Sequence, residues 1–138
     1  MPGTGQPIKE KHLDVTSDLS VLSDVRHFLR EVFAGIADDP VDRMELAANE
    51  VAANIIKHAY KGNNGHRIVI RATVSPDRIC VHFFDHGAPF DPAHVPPPLF
   101  DGSQEGGFGL FIVSEVVDEF HYLPSGEGNH TNLCIFLP

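Results

Sequence analysis

Glu50 and Asn54 stand four residues apart in a run whose apolar residues recur at helical spacing, so their side chains lie one turn apart at the edge of the apolar stripe. A carboxylate there can take a proton from a hydroxyl, and an amide oxygen one turn away can ligate a hard cation such as Mg2+. His58 follows by one more turn, where it would border the same site or simply cap a surface helix end. Alone, this pair reads most simply as a polar helix edge. Two further motifs accompany it. Asp85-His86-Gly87 closes a strand pattern with a carboxylate, and its glycine can adopt positive φ or let a ligand ring approach the backbone. Gly106-Gly107-Phe108-Gly109 opens a helical pattern, where free N–H groups and the positive dipole end favour an anion. Each of these, taken singly, is equally at home as a turn or a flexible junction.

The elements that must position these groups are legible from periodicity. Ile8 to Val15 can form a strand, and Thr16 to Asp18 offers capping side chains before an amphipathic helix over Leu19 to Ala37, with Leu22, Val25, Leu29, Val32, Phe33 and Ile36 on one stripe. Asp38, Asp39 and Pro40 interrupt that pattern. A second helix over Val41 to Tyr60 follows, burying Met44, Ala47, Ala48, Val51, Ile55 and Ala59. Arg67 to Val74 and Arg78 to Asp85 alternate as the arms of a β-hairpin around Ser75-Pro76-Asp77. Between Gly87 and Gly107 lie five prolines, a loop long enough to act as a lid. Helical spacing resumes over Gly107 to Phe120, and His121 to Leu123 and Asn132 to Leu137 read as two last strands. This order implies an α+β domain with helices on one face of a mixed, mostly antiparallel sheet. Strand parity sets Ile79, Val81, Phe83 and Asp85 on one face, with Thr131 in phase with Leu133, Ile135 and Leu137. A carboxylate and a hydroxyl therefore point into the helix-covered side, where each needs a partner.

Composition bounds the function. The chain has 138 residues, with 10 Lys and Arg against 19 Asp and Glu, a net charge of -9 and a pI near 5.3. That balance argues against broad nucleic-acid backbone binding and against electrostatic docking on an anionic membrane. The start MPGTGQPIKEK has no apolar core of a leader, and no run is long enough to span a bilayer, so a cytoplasmic protein is expected. Residues 1–7 read as a flexible tail and 8–138 as one domain. Cys80 and Cys134 share the outward parity and could be neighbours, but reduced thiols are expected in that compartment. His82 and His86 would sit about 13 Å apart on one strand, too far for a shared metal ion.

Taken in order, Glu50-Val-Ala-Ala-Asn54-Ile-Ile-Lys-His58-Ala-Tyr60, Asp85-His-Gly-Ala-Pro-Phe90-Asp91-Pro92 and Gly106-Gly-Phe-Gly-Leu110-Phe-Ile-Val113 resemble the anti-sigma-factor serine/threonine kinases of the GHKL ATPase superfamily. The resemblance spans nearly the whole chain and implies a Bergerat-type sandwich that uses ATP and Mg2+. It implies that Glu50 is the general base, Asn54 the Mg2+ ligand and Asp85 the acceptor of the adenine amino group. Gly87 would lie beside the base, Gly107 and Gly109 would offer N–H groups to the phosphates, and the Thr131 hydroxyl would support adenine. His130 stands where the superfamily commonly has a glycine before that threonine. The implied activity is transfer of the ATP γ-phosphate to an anti-sigma-factor antagonist, combined with sequestration of a sigma factor, in a protein expected to be a homodimer. The alternative is a nucleotide-gated binding module without kinase activity; retention of Glu50 counts against it. No Lys or Arg occurs after Arg78, so a triphosphate must be neutralised by Mg2+, by helix N–H groups and by cations from elsewhere, with Lys57, Lys61 and Arg67 nearest in sequence.

Overall fold

A computed structural model describes residues 7–89 and 108–138. Its elements are β1 (Lys9–Thr16), α1 (Val21–Val32), α2 (Asp38–Asn54), a π-helical turn (Ile55–Ala59), β2 (Arg67–Ser75), β3 (Arg78–Asp85), α3 (Phe108–Val116), β4 (Glu119–Ser125) and β5 (Gly128–Phe136). The strands form one sheet in the order β1-β2-β3-β5-β4, and all four neighbouring pairs are antiparallel. The expected α+β arrangement, with helices on one face of a mostly antiparallel sheet, is borne out, and every described strand pair is antiparallel. β4, which follows α3, runs parallel to β3, but β5 lies between them and pairs antiparallel with both.

Alternation decides which side of the sheet is covered. Ile68, Ile70 and Ala72 of β2, Ile79, Val81 and Phe83 of β3 and Leu133 and Ile135 of β5 are fully buried against the helices, together with Leu29 and Phe33, and with Met44, Ala47 and Ala48 of α2. α1 lies on β1 and β2, α2 on β3 and β5, and α3 packs on α2. The opposite face stays open. It carries Arg71, His82, Phe84, His130 and Asn132, all partly buried, with His130 stacked on Phe84 at 4.6 Å and the Arg71 guanidinium 5.4 Å from the Phe84 ring centre.

Several boundaries differ from those periodicity predicts. α1 stops at Val32, because Gly35 takes φ +90° and the Lys9 ammonium donates to the Val32 carbonyl at 2.9 Å, satisfying the helix end. α2 begins at Asp38 rather than after Pro40. The two aspartates sit in its first turn, where the dipole favours them, and a proline is tolerated there because its missing N–H would have no partner. α3 ends at Val116, capped by Arg43 Nη1 donating to the Val116 carbonyl at 3.0 Å, and Phe120 belongs to β4. Cys80 and Cys134, expected as thiols, are joined by a disulfide. They are directly opposed in the β3–β5 register with Cα atoms 4.2 Å apart, the close spacing of a non-hydrogen-bonded pair. The proline-rich segment expected as a lid, with Gly106 and Gly107, lies outside the described residues.

Candidate functional site

Among the described residues, three of the four buried polar side chains, Asp85, Asn129 and Thr131, gather toward the end of β3, while the fourth, Ser17, follows β1 and bonds Asn63 and His66. Asp85 is 2% exposed, and Thr131 of the adjacent strand is 1% exposed, so both inward groups lie beneath the helices as the parity requires. Asp85 is also held in place. Its Oδ1 accepts the Gly87 N–H at 2.9 Å, an Asx-type turn, and the Asn129 side-chain amide at 3.0 Å. The same Asn129 nitrogen donates to the Gly87 carbonyl at 2.9 Å. Asn129 is 4% exposed and is the register partner of Asp85. Sequence reasoning passed over it, although the inward row Thr131, Leu133, Ile135, extended back by two residues, lands on this position.

Gly87 turns out to be required for a reason other than positive φ. It is absent from the positive-φ glycines, and a Cβ built on it would stand 2.6 Å from both the Cβ and the carbonyl oxygen of Ala59. The loop thus lies directly on the end of the second helix, where the Ala88 N–H donates to the Ala59 carbonyl at 2.8 Å. That helix end is π-wound over Ile55–Ala59, with Tyr60 N–H bonding to the Ile55 carbonyl at 2.9 Å. Such widened turns leave carbonyls displaced from the regular ladder and are frequent at functional sites. Tyr60 completes the junction. Its hydroxyl accepts the His86 N–H at 2.7 Å and donates to the Arg67 carbonyl at 3.0 Å, and burial, reinforced by the Asp85 charge, pushes its phenol pKa upward.

Glu50 and Asn54 are both partly buried on the last two regular turns of α2, immediately before the π turn. His58 lies within that turn and is exposed. Gly109 is the second residue of α3, which packs against α2. Of the three cations nearest in sequence, Arg67 is engaged by Asp14 at 2.7 Å. Lys61 lines a cleft of about 290 Å3 beside Gly87, with Tyr60, His66 and His86, and Lys57 is exposed. Among the described residues no group of three or more His, Cys, Asp or Glu is arranged to hold a metal ion.

A five-stranded antiparallel sheet with helices on one face, a buried carboxylate clamped beside a glycine, and a carboxylate and amide one turn apart on α2 make an α+β sandwich with its polar groups gathered at one end of the sheet. The model of the histidine kinase-like ATPase domain matches residues 15–135, and the chain belongs to that family. It is 31% identical over 116 residues to the serine-protein kinase RsbW of Staphylococcus aureus, covering 76% of this chain and 73% of that protein. It is 30% identical over 96 residues to the serine-protein kinase RsbW of Bacillus licheniformis, and spans 60% of that relative's length. Among solved structures, the RsbU and RsbW domains of a Mycobacterium tuberculosis protein superpose with a TM-score of 0.70 at 19% identity, over 95% of this chain and 33% of that one. The histidine kinase domain of a blue-light activated histidine kinase from Erythrobacter litoralis gives a TM-score of 0.53 at 22% identity, over 86% and 60%. At these identities the two structures share the fold.

Proposed function

We propose that the protein is an ATP-dependent serine/threonine kinase that phosphorylates an anti-sigma-factor antagonist and, in the alternate state of a partner switch, sequesters a sigma factor. The observation that carries the nucleotide reading is Asp85: a carboxylate 2% exposed, fixed through one oxygen, and seated beside a backbone that leaves no room for a side chain at Gly87. Burying a carboxylate is costly unless it receives hydrogen bonds, and the amino group of adenine is a donor of the right kind for the remaining oxygen. Family membership and two relatives named as serine-protein kinases support the reaction.

In this reading Glu50 takes the proton of the incoming hydroxyl, Thr131 supports the adenine, His58 borders the nucleotide, and Gly107 and Gly109 offer N–H groups to the phosphates. Asn54 would hold Mg2+, which supplies the charge neutralisation that phosphoryl transfer demands. Of the cations that could otherwise meet the phosphates, three arginines are engaged elsewhere, which leaves Lys57 and Lys61. Arg43 is committed to Asp39 and the Val116 carbonyl, Arg67 to Asp14, and Arg78 to Glu119. Among the described residues no helix is long and apolar enough to cross a membrane, and action in the cytoplasm as a homodimer completes the proposal.

Incubation with Mg-ATP and candidate antagonists tests it. Phosphoserine or phosphothreonine should appear on one of them, and Glu50→Gln should retain ATP and partner binding while losing transfer by about a hundredfold or more. Stable partner binding with no transfer by the parent protein would instead establish the nucleotide-gated binding module.

A further inference from the structure

We infer that Asn129 is a positioning residue for nucleotide-base selection: it orients the Asp85 carboxylate so that a single oxygen, Oδ2, faces the incoming base. The inference rests on the reading of Asp85 as the base-recognising acceptor.

The argument starts from what an amide can donate. Asn129 Nδ2 has two hydrogens, and they go to two oxygens, Asp85 Oδ1 at 3.0 Å and the Gly87 carbonyl at 2.9 Å. Neither acceptor has a hydrogen to give, so the amide can face them only through its nitrogen. Oδ1 also takes the Gly87 N–H at 2.9 Å, so both of its lone-pair directions are used. An approaching amino group is left with Oδ2. The two donors lie on different segments, the loop after β3 and the start of β5, and together they fix the carboxylate plane as well as its position.

Burial makes this clamp necessary. A solvated aspartate rotates about χ2 at little cost, because water replaces whatever bond it leaves, whereas a carboxylate at 2% exposure meets little water to replace a lost protein donor. Removing the Asn129 amide deletes a hydrogen bond to a charged group and leaves the Gly87 carbonyl without that donor. Among the described residues the carboxylate is then held only by the N–H of its own loop, two residues along the chain, and can turn its acceptors away from an amino donor or toward the ring N–H of guanine. Loss of Asn129 should therefore reduce selectivity between bases, which general damage to the fold would not do.

Asn129→Ala and the nearly isosteric Asn129→Asp, which places an acceptor against two acceptors, are to be compared with the parent by calorimetry with Mg-ATP and Mg-GTP. Asp85→Asn is measured alongside, and circular dichroism and thermal melts monitor folding. The expected result is a loss of ATP affinity of about tenfold, with GTP affinity unchanged or improved, so that the ATP-to-GTP preference falls by tenfold or more. In the kinase assay KM for ATP should rise by a similar factor while kcat stays within about twofold, since the γ-phosphate end is untouched. A preference within twofold of the parent in a folded variant overturns the inference, as does an equal loss of both nucleotides. Native spectra lost in both variants would place Asn129 among residues that only build the strand, and would overturn it too. If Asp85→Asn keeps parental ATP binding, the underlying reading of Asp85 fails. If Asp85→Asn loses ATP while both Asn129 variants keep it, only the role of Asn129 fails.

Discussion

Replacing Gly87 by alanine is the sharpest perturbation of the site, because the conflict it creates is with backbone and not with a movable side chain. The added Cβ would lie 2.6 Å from the Ala59 carbonyl oxygen and 2.7 Å from its carbonyl carbon, as well as 2.6 Å from the Ala59 Cβ. Carbon contacts settle at roughly 3.5 to 4 Å, so loop and helix end must separate by about 1 Å. Three hydrogen bonds cross or close that junction: Ala88 N–H to the Ala59 carbonyl at 2.8 Å, Gly87 N–H to Asp85 Oδ1 at 2.9 Å, and Asn129 Nδ2 to the Gly87 carbonyl at 2.9 Å. At about 1 kcal/mol each, loss of all three costs about 3 kcal/mol. In a domain of this size that corresponds to a melting-temperature fall of roughly 10 °C. Scanning calorimetry gives the melting temperature, and titration with Mg-ATP should show binding weakened at least tenfold as Asp85 loses its fixed orientation. Deleting the opposing methyl with Ala59→Gly should restore little, because two of the three close contacts are with backbone atoms. A Gly87→Ala protein that melts within 2 °C of the parent and binds ATP normally would refute the packing argument, and full rescue by Ala59→Gly would show that the conflict was between side chains only.

Reduction of the Cys80–Cys134 disulfide, which closes a separation of 54 residues, should lower stability by at most about 4 kcal/mol on the chain-entropy model, read as a melting-temperature drop with reductant that is absent in a Cys80→Ser/Cys134→Ser protein. His82 is lowered to about 4, first by burial and then by the Arg71 and His130 charges, so the folded state prefers its neutral ring. The unfolded chain therefore binds more protons between pH 6.5 and 4, and the stability contribution, complete above 6.5, should be lost as pH falls through that window. It amounts to about 2 kcal/mol after allowance for partial exposure. His82→Asn should flatten the melting-temperature profile there, and an unchanged slope would refute the assignment. ATP affinity should fall at least tenfold in EDTA, measured by calorimetry; equal affinity with and without Mg2+ would remove Asn54 from the metal role.

Local periodicity alone determined which faces are covered. The two-residue repeat of β3 and β5 put Asp85 and Thr131 in the same rows as Val81, Phe83, Leu133 and Ile135, and all six are buried. The helical repeat likewise picked out Met44, Ala47, Ala48 and Val51 as the inward stripe of α2, with Glu50 and Asn54 at its partly buried edge. Sequence patterns of this kind report faces and spacings, not which strand lies beside which. Only the tertiary structure placed β5 against β3, and that single register decided three things at once. It set Cys80 opposite Cys134 at disulfide distance, brought the His82 Nδ1 to 2.9 Å from the His130 Nε2, and put Asn129 across from Asp85. The helix ends were equally beyond local reading, because α1 and α3 stop where Lys9 and Arg43, distant in sequence, supply donors to their last carbonyls. Gly87 shows the division most clearly: its identity suggested a backbone angle, whereas its necessity comes from Ala59, 28 positions earlier, arriving at the same place from the end of a π-wound turn.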